Sequence, residues 1–223
     1  MSASTNGSNR ISAAEFHRAP GVSAWRVTGG GPQAVFSARS LAHAASLLPA
    51  VVAAAERFGV QPDVDVRPEA VVVRIPDRDT GGIPEAATGF AAAVSEAAGA
   101  QQLTADPSRA QSIGIYVAQH SSADVRPFFL AALGYEELGE TDAVDPLRCG
   151  PSLAFNPITG DAQGRGRTHL DVFVPADRAQ AQVDAALAAG GRLVDDANAP
   201  MYWSLASPEN HGVDIASWTD TID

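Results

Sequence analysis

The chain has 223 residues, a length that fits one large domain or two domains of about 100 to 120 residues, and we expect two. Hydrophobic residues make up 45% of the sequence and charged residues 18%, which excludes a disordered chain. The net charge of -11 repels nucleic acid and anionic lipid, so we expect neither nucleic acid nor a membrane as a partner.

Turn residues and apolar periodicity predict the elements of the first half. Residues 1–10 are small and polar and predict a disordered tail. From residue 11 to residue 98 the predicted order is α-β-β-α-β-β-α. The predicted elements are a helix at 12–17, which a capping box of Ser12 and Glu15 begins, strands at 25–27 and 34–36, a long helix at 40–58, strands at 64–66 and 71–75, and a helix at 84–98.

The second half shows an internal repeat. Residues 99–110 are small and polar and include Pro107, so they predict an interdomain linker. After the linker, two stretches of about 50 residues each predict the order β-α-β-β-β, and we expect the two half-sheets to face each other around a cavity. The predicted fold class is α+β, with one domain at 11–98 and a second domain of two tandem βαβββ units at 111–219.

Several segments of the second half resemble a known superfamily. They are IYVA at 115–118, RPFFLAALGYEEL at 126–138, GPSLAFNPI at 150–158, RTHLDVFVP at 167–175 and the stretch at 185–218. In this order they resemble the vicinal-oxygen-chelate (VOC) superfamily, which includes glyoxalases, extradiol dioxygenases and bleomycin-resistance-type binding proteins. The resemblance implies two βαβββ units around a ligand site.

The resemblance also implies positions for metal ligands. In this superfamily the first and last strands of both units supply His, Glu or Gln side chains to one divalent cation. Those positions correspond to Ser112 and about Asn156 in the first unit, and to His169 and Asp214 in the second. Serine and asparagine are weak ligands, and one imidazole with one carboxylate would need several waters to hold the cation. We therefore expect no metal and no other cofactor.

The candidate catalytic residues are His169, Asp171 and Asp214. His169 and Asp171 are two residues apart on one predicted strand, so their side chains share a face, which by the resemblance lines the cavity. An imidazole near a carboxylate suits acid/base catalysis near neutral pH, and by the resemblance Asp214 can orient the ring. The alternative for His169 is a relic ligand that hydrogen bonds satisfy.

Two aromatic residues of the second half are candidates for substrate binding. Tyr202 and Trp203 fall in a segment that borders the cavity in related proteins, where they would stack on a flat ligand. We expect one of the two to pack in the core instead. Ser112 and Asn156 complete the substrate-binding candidates of this half.

The first half resembles pterin-4a-carbinolamine dehydratase. The resemblance rests on Trp25 before a hairpin, a helix of small residues after Phe36, the sequence PDVDV at 62–66 and the Gly-Gly-Ile turn at 81–83. That family uses histidines as acid and base in a His-His-Pro and a Ser-Thr-His motif. In this chain the two motifs read Val-Gln-Pro at 60–62 and Pro-Asp-Arg at 76–78, so we expect the pterin reaction to be lost.

Three polar residues remain around the implied dehydratase pocket. Glu56 stands where that family keeps an acidic residue, and Gln61 and Arg78 replace two of its histidines. They are candidates for a polar pocket that binds something other than a pterin.

The favoured function is a diverged small-molecule enzyme with metal-independent acid/base chemistry, such as dehydration, cyclisation or isomerisation. The two resemblances place it in specialised metabolism, in an actinomycete. The alternatives are a non-catalytic metabolite-binding or resistance protein and a residual carbinolamine dehydratase. The partner is a small organic molecule, and a homodimer is allowed. One cysteine, Cys149, excludes an internal disulfide, and the polar N-terminus shows no secretory signal, so we expect a cytoplasmic protein.

Overall fold

The computed structural model describes residues 9–77, 82–119, 126–157, 168–207 and 211–220. The chain divides into two compact units. The described residues up to Ala110 form the N-terminal unit, and those from Gln111 onward form the C-terminal unit. Both units mix helices with antiparallel or mixed sheets, so the predicted α+β class is confirmed.

The N-terminal unit packs helices on an antiparallel sheet. Its helices are α1 (Ala13–Arg18), α2 (Leu41–Ala45), α3 (Leu48–Phe58) and α4 (Ala86–Ala100), and its strands are β1 (Arg10–Ile11), β2 (Trp25–Thr28), β3 (Gly31–Ser37), β4 (Asp63–Arg67), β5 (Ala70–Arg74), β6 (Ile83–Pro84) and β7 (Thr104–Ala105). The main sheet has the order β2-β3-β5-β4, and β7 also pairs with β3. Trp25 is fully buried in the core, where its indole N–H donates to the carbonyl of Ala91 and to the Ser95 hydroxyl.

The long helix predicted at 40–58 is two helices, α2 and α3. Pro49 lies in the first turn of α3, where its missing N–H costs no hydrogen bond, and Leu47 N–H bonds the carbonyl of Ala44 across the break. The span Leu41–Phe58 is apolar enough to cross a membrane by length and composition. This is weak evidence, because Ala44, Leu47 and neighbours on the same side belong to the core of the unit.

Two predicted boundaries are wrong. Arg10, expected in the disordered tail, pairs with Pro84 across the β1–β6 ladder, while residues 1–8 lie outside the described residues. The stretch 99–110, expected as a linker, packs on the N-terminal unit. It ends α4, forms β7 against β3, and buries Leu103 and Ala110. The buried leucine helps to anchor this polar segment, because burial of a leucine side chain stabilises by about 1.5 to 3 kcal/mol.

The C-terminal unit repeats one arrangement twice. The first repeat contains β8 (Ser112–Gln119), α5 (Arg126–Leu133), β9 (Glu136–Leu138), β10 (Asp142–Val144) and β11 (Ser152–Pro157). The second contains β12 (Thr168–Phe173), α6 (Ala176–Ala188), β13 (Arg192–Asp195), β14 (Tyr202–Ala206) and β15 (Gly212–Ala216). In each repeat the first strand runs parallel to the last.

The two repeats join into one sheet. Strands β8 and β12 pair antiparallel, which gives the order β13-β14-β15-β12-β8-β11-β10-β9. Both helices cover the same face of this sheet, α5 over Val117 and Phe155, and α6 over Ile215 and Trp203. Because side chains alternate along a strand, the residues between these core positions point to the opposite face, called here the open face.

Candidate functional site

His169, Asp171 and Asp214 form one cluster on the open face. His169 and Asp171 are two residues apart on β12, and Asp171 lies directly beside Asp214 of the parallel strand β15. The imidazole Nε2 of His169 is 3.0 Å from an oxygen of Asp171 and 3.5 Å from an oxygen of Asp214. The strand period and the β12–β15 register therefore bring together the three residues proposed from the sequence as catalytic.

The two carboxylates of the cluster are more buried than the imidazole. The side chains of Asp171 and Asp214 are 13% and 15% exposed, and that of His169 is 35% exposed. The Asp171 Oδ1 accepts no aligned hydrogen bond from the described residues, although Nε2 of His169 is close to it. The contact is therefore electrostatic, and both carboxylates stabilise positive charge on the imidazole.

Tyr116 adds a phenol to the cluster. It lies directly opposite His169 in the β8–β12 ladder, and the two rings stack with centroids 5.4 Å apart and planes 25° apart. Burial, together with the negative charges of Asp171 and then Asp142, raises the pKa of Tyr116 to about 12. The phenol therefore stays protonated and acts as a hydrogen-bond donor.

Sequence reasoning missed Tyr116 and Asp142. The signal for Tyr116 was the alternation in β8, which puts it on the same face as Ser112. Its contact with His169 depends on the register between β8 and β12, which are separate strands far apart in sequence. Asp142 is harder still to predict from the sequence. It lies in β10 opposite Ala154, and its charge acts on Tyr116 across the intervening strand β11.

Gly114 makes room for the Tyr116 ring. Gly114 lies opposite Asp171 in the β8–β12 ladder. A Cβ at this position would lie 3.2 Å from Cε2 of Tyr116 and 3.5 Å from Cε2 of Phe173, closer than ordinary contact in the first case. The missing side chain lets the tyrosine ring lie over the sheet near the carboxylates.

The cluster fits a divalent cation in its donor set. The ligand atoms of His169, Asp171 and Asp214 all lie within 4.8 Å of one another. Adjacent donors of a cation with bonds of about 2.1 Å are about 3 Å apart, close to the spacing of Nε2 and the carboxylate oxygens here. The buried Asp171 oxygen, with no aligned hydrogen-bond donor among the described residues, also suits a ligand. This set differs from the four positions inferred from the sequence, since it includes Asp171.

Ser112 and Asn156 share the open face but lie outside the cluster. Ser112 pairs with Phe173 at the far end of β8, four residues from Tyr116, and its buried hydroxyl has no hydrogen-bond partner among the described residues. Asn156 is exposed on β11 beside Ala118. Neither position comes close enough to His169 to complete a four-residue ligand set, because each residue along a strand adds about 3.3 Å.

Tyr202 and Trp203 point to opposite faces of the sheet. Tyr202 lies opposite Ala216 on the open face, and its hydroxyl is 2.6 Å from the side-chain nitrogen of Asn198. Trp203 is 6% exposed and packs in the core beneath α6, so its assignment to substrate binding is wrong. The expectation that one of the two packs in the core is confirmed for Trp203.

The polar residues proposed for the N-terminal unit do not gather into a described pocket. Glu56 on α3 and Gln61 after it are exposed, and Arg78 lies outside the described residues. A cleft of about 480 Å³ in this unit is lined instead by Asn9, Phe58, Pro84, Glu85, Ala86, Thr88 and Gly89. The first histidine position of the dehydratase motif, Val60, is buried and apolar.

The comparison with known families concerns the C-terminal unit. Residues 113–216 match the family model of a glyoxalase-like domain. The glyoxalase-like domain thus includes both βαβββ repeats and the cluster around His169, and the match supports the VOC resemblance of this unit. It indicates a small-molecule enzyme or a small-molecule binding protein. No curated protein was found to match the sequence.

Proposed function

We propose that the glyoxalase-like domain is a small-molecule enzyme that moves protons with His169. The observation that carries the proposal is the position of Nε2 between two largely buried carboxylates, at 3.0 Å and 3.5 Å. These carboxylates orient the ring and stabilise the imidazolium, which leaves Nδ1 to exchange a proton with the substrate. Stacking on Tyr116 restricts the ring further.

The proton transfers balance in a simple way. The neutral imidazole takes a proton from a carbon or hydroxyl of the substrate, and Asp171 and Asp214 stabilise the charge that forms. The imidazolium then returns the proton to another atom of the same molecule, which is an isomerisation or cyclisation, or to a leaving hydroxyl that departs as water, which is a dehydration. The Tyr116 phenol keeps its proton throughout and donates a hydrogen bond to a substrate oxygen or nitrogen.

A metal-dependent enzyme is the second candidate, and the donor spacing of the cluster favours it. His169, Asp171 and Asp214 would hold the cation, which would supply Lewis-acid polarisation of a substrate oxygen. The two candidates exclude each other at one atom, because Nε2 cannot coordinate a cation while it carries a proton. Elemental analysis of protein purified without chelator distinguishes them.

The proposal extends to the rest of the chain. The N-terminal unit is proposed as a diverged relative of carbinolamine dehydratase that lacks the pterin chemistry, which the apolar Val60 and exposed Gln61 support. The protein is proposed to be cytoplasmic, with a small organic molecule as its partner and no nucleic acid or membrane. A homodimer, an actinomycete source and a role in specialised metabolism rest on the sequence resemblances.

A test of the proposal does not require the substrate to be known in advance. The protein is incubated in D₂O with a mixed small-metabolite extract and EDTA, and mass spectrometry records compounds that gain a deuteron or lose water. If the proposal is correct, the wild-type protein converts at least one such compound and His169→Gln leaves that compound unchanged. Conversion that needs added metal would favour the metal-dependent candidate. No conversion under either condition would contradict both and favour a binding protein.

A further inference from the structure

Two carboxylates lie beside the proposed proton carrier on the open face, and a third lies further along the same row of paired positions. Asp171 and Asp214 are direct neighbours on β12 and β15. Asp142 lies in the row of paired positions that also contains Ala154, Tyr116 and His169, two strands or about 10 Å from Tyr116. Its negative charge and that of Asp171 both act on the Tyr116 phenol. One imidazole cannot neutralise both Asp171 and Asp214, so the described residues of this cluster have a negative net charge whether His169 is protonated or neutral.

The described cation in this row of paired positions lies far from the cluster. Arg192 lies on the edge strand β13, opposite Ala206 and three strands from His169, which is about 14 Å. At this separation its field at the cluster is largely screened by solvent and salt. The most buried carboxylate, Asp171, is 9% exposed as a residue, and its Oδ1 accepts no aligned hydrogen bond from the described residues. This oxygen is buried against Nε2 of His169 at 3.0 Å, so a bound cation would meet the other carboxylate oxygens of the cluster, and carboxylates in such a buried setting favour a cationic hydrogen-bond donor.

Aromatic rings border the carboxylates. Tyr116 lies over the sheet beside Asp171, and Phe173 is two residues from Asp171 on the same face of β12, about 7 Å along the strand. The exposed ring of Trp218 packs edge-on against Phe173, with centroids 5.9 Å apart. Aromatic faces attract cations and bind flat apolar groups, so they add to the same preference.

We propose that the open face takes an organic cation, an ammonium group joined to an aromatic or other flat apolar group, as its substrate. The ammonium would bind Asp171 and Asp214, and the apolar part would lie against the exposed ring of Trp218, which packs on the buried Phe173. Anionic molecules such as carboxylates and phosphates would be repelled by Asp171 and Asp214. This inference rests on the proposed function, since it names the substrate class of the same site.

Three probes of similar size, each with one phenyl ring, test the charge preference. Benzylammonium, benzyl alcohol and benzoate are titrated into the full-length protein with EDTA present, and binding is followed by isothermal calorimetry and ligand-observed NMR. Benzylammonium should bind at least about tenfold more tightly than benzyl alcohol, because a hydrogen bond between two charged groups is stronger than one with a neutral hydroxyl, and benzoate should bind most weakly. Equal or tighter binding of benzoate would overturn the proposal.

Matched variants locate the binding. Asp171→Asn and Asp214→Asn should each weaken benzylammonium binding by about tenfold while keeping the shape of the side chain. Asp184→Asn is the control, because it removes one negative charge from α6 on the other side of the sheet, where Asp184 accepts a hydrogen bond from Gln180. Equal weakening in all three variants, or binding that appears only with added metal, would contradict the proposal.

The two proposals fail separately. His169→Gln should leave benzylammonium binding unchanged or tighter, because it removes a competing positive charge, while it abolishes proton transfer. If the protein binds the amine but His169→Gln converts the substrate as fast as the wild-type protein, the acid/base function is refuted and the substrate class stands. If conversion depends on His169 but the protein binds benzoate more tightly than benzylammonium, the substrate class is refuted and the acid/base function stands.

Discussion

Replacing Gly89 by alanine should destabilise the N-terminal unit, although the same change usually stabilises a helix. Gly89 lies inside α4, where alanine is favoured over glycine by about 1 kcal/mol. A Cβ at Gly89 would overlap Cε1 of Phe58 and lie 2.9 Å from Cδ1 of the same ring, well inside the ordinary carbon contact of about 3.5 to 4.0 Å. Overpacking of this kind costs about 1 to 3 kcal/mol, so we expect a net loss of about 1 kcal/mol.

The same helix contains the control. A Cβ at Gly99 would meet nothing within 4 Å, so Gly99→Ala should stabilise α4 by about 0.5 to 1 kcal/mol. Hydrogen-exchange mass spectrometry of α4 peptides measures both effects within the N-terminal unit, without interference from the other unit. In the Phe58→Ala background the cost of Gly89→Ala should disappear. Equal stabilisation by both glycine substitutions would refute the packing of Phe58 against α4.

Three further predictions concern single contacts. The ultraviolet titration of tyrosinate should show one group with a pKa of about 12 that Tyr116→Phe removes. Because the pKa of Tyr116 in the folded protein is above the ordinary value of 10, its contribution to stability should be lost as pH rises from about 10 towards 12. A titration in which no tyrosine has a raised pKa would place Tyr116 in solvent. Asp220→Ala should lower the free energy of unfolding of the C-terminal unit by about 1 to 3 kcal/mol, because the fully buried carboxylate accepts a hydrogen bond from the N–H of Ala176, the first residue of α6. Urea unfolding measures the effect, and an unchanged unfolding midpoint would exclude this capping hydrogen bond. His43→Ala should increase hydrogen exchange at the end of α4, since ring nitrogens of His43 bridge Arg39 N–H and the Gln101 carbonyl, and unchanged exchange there would contradict the bridge.

The sequence predicted element types better than boundaries. The capping box of Ser12 and Glu15 is local, involves neighbouring residues, and is present in the structure. The break between α2 and α3 was missed because the apolar periodicity continues across it, while Pro49 has two acceptable positions, inside a kinked helix or in a first turn. The stretch 99–110 was misjudged because its composition is polar, and burial of Leu103 and Ala110 depends on tertiary contacts.

The site was predicted where residues share a strand. His169 and Asp171 are joined by the period of two, and Asp214 followed from the resemblance to a repeated unit. The alternation also separates Tyr202 from Trp203, but the sequence did not show which of the two faces α6. Tyr116 and Asp142 depend on the register of four strands, which no local pattern determines.

The turnover of His169→Gln tests the central claim most directly. Once the D₂O incubation has identified a converted compound, its rate is compared for the wild-type protein, His169→Gln and His17→Gln, a control in α1 of the N-terminal unit. Loss of a general acid/base predicts a rate for folded His169→Gln protein that is lower by about 10²- to 10⁴-fold, with the His17→Gln rate equal to wild type. A His169→Gln rate within about twofold of wild type would contradict the account, since the proton would then be carried elsewhere.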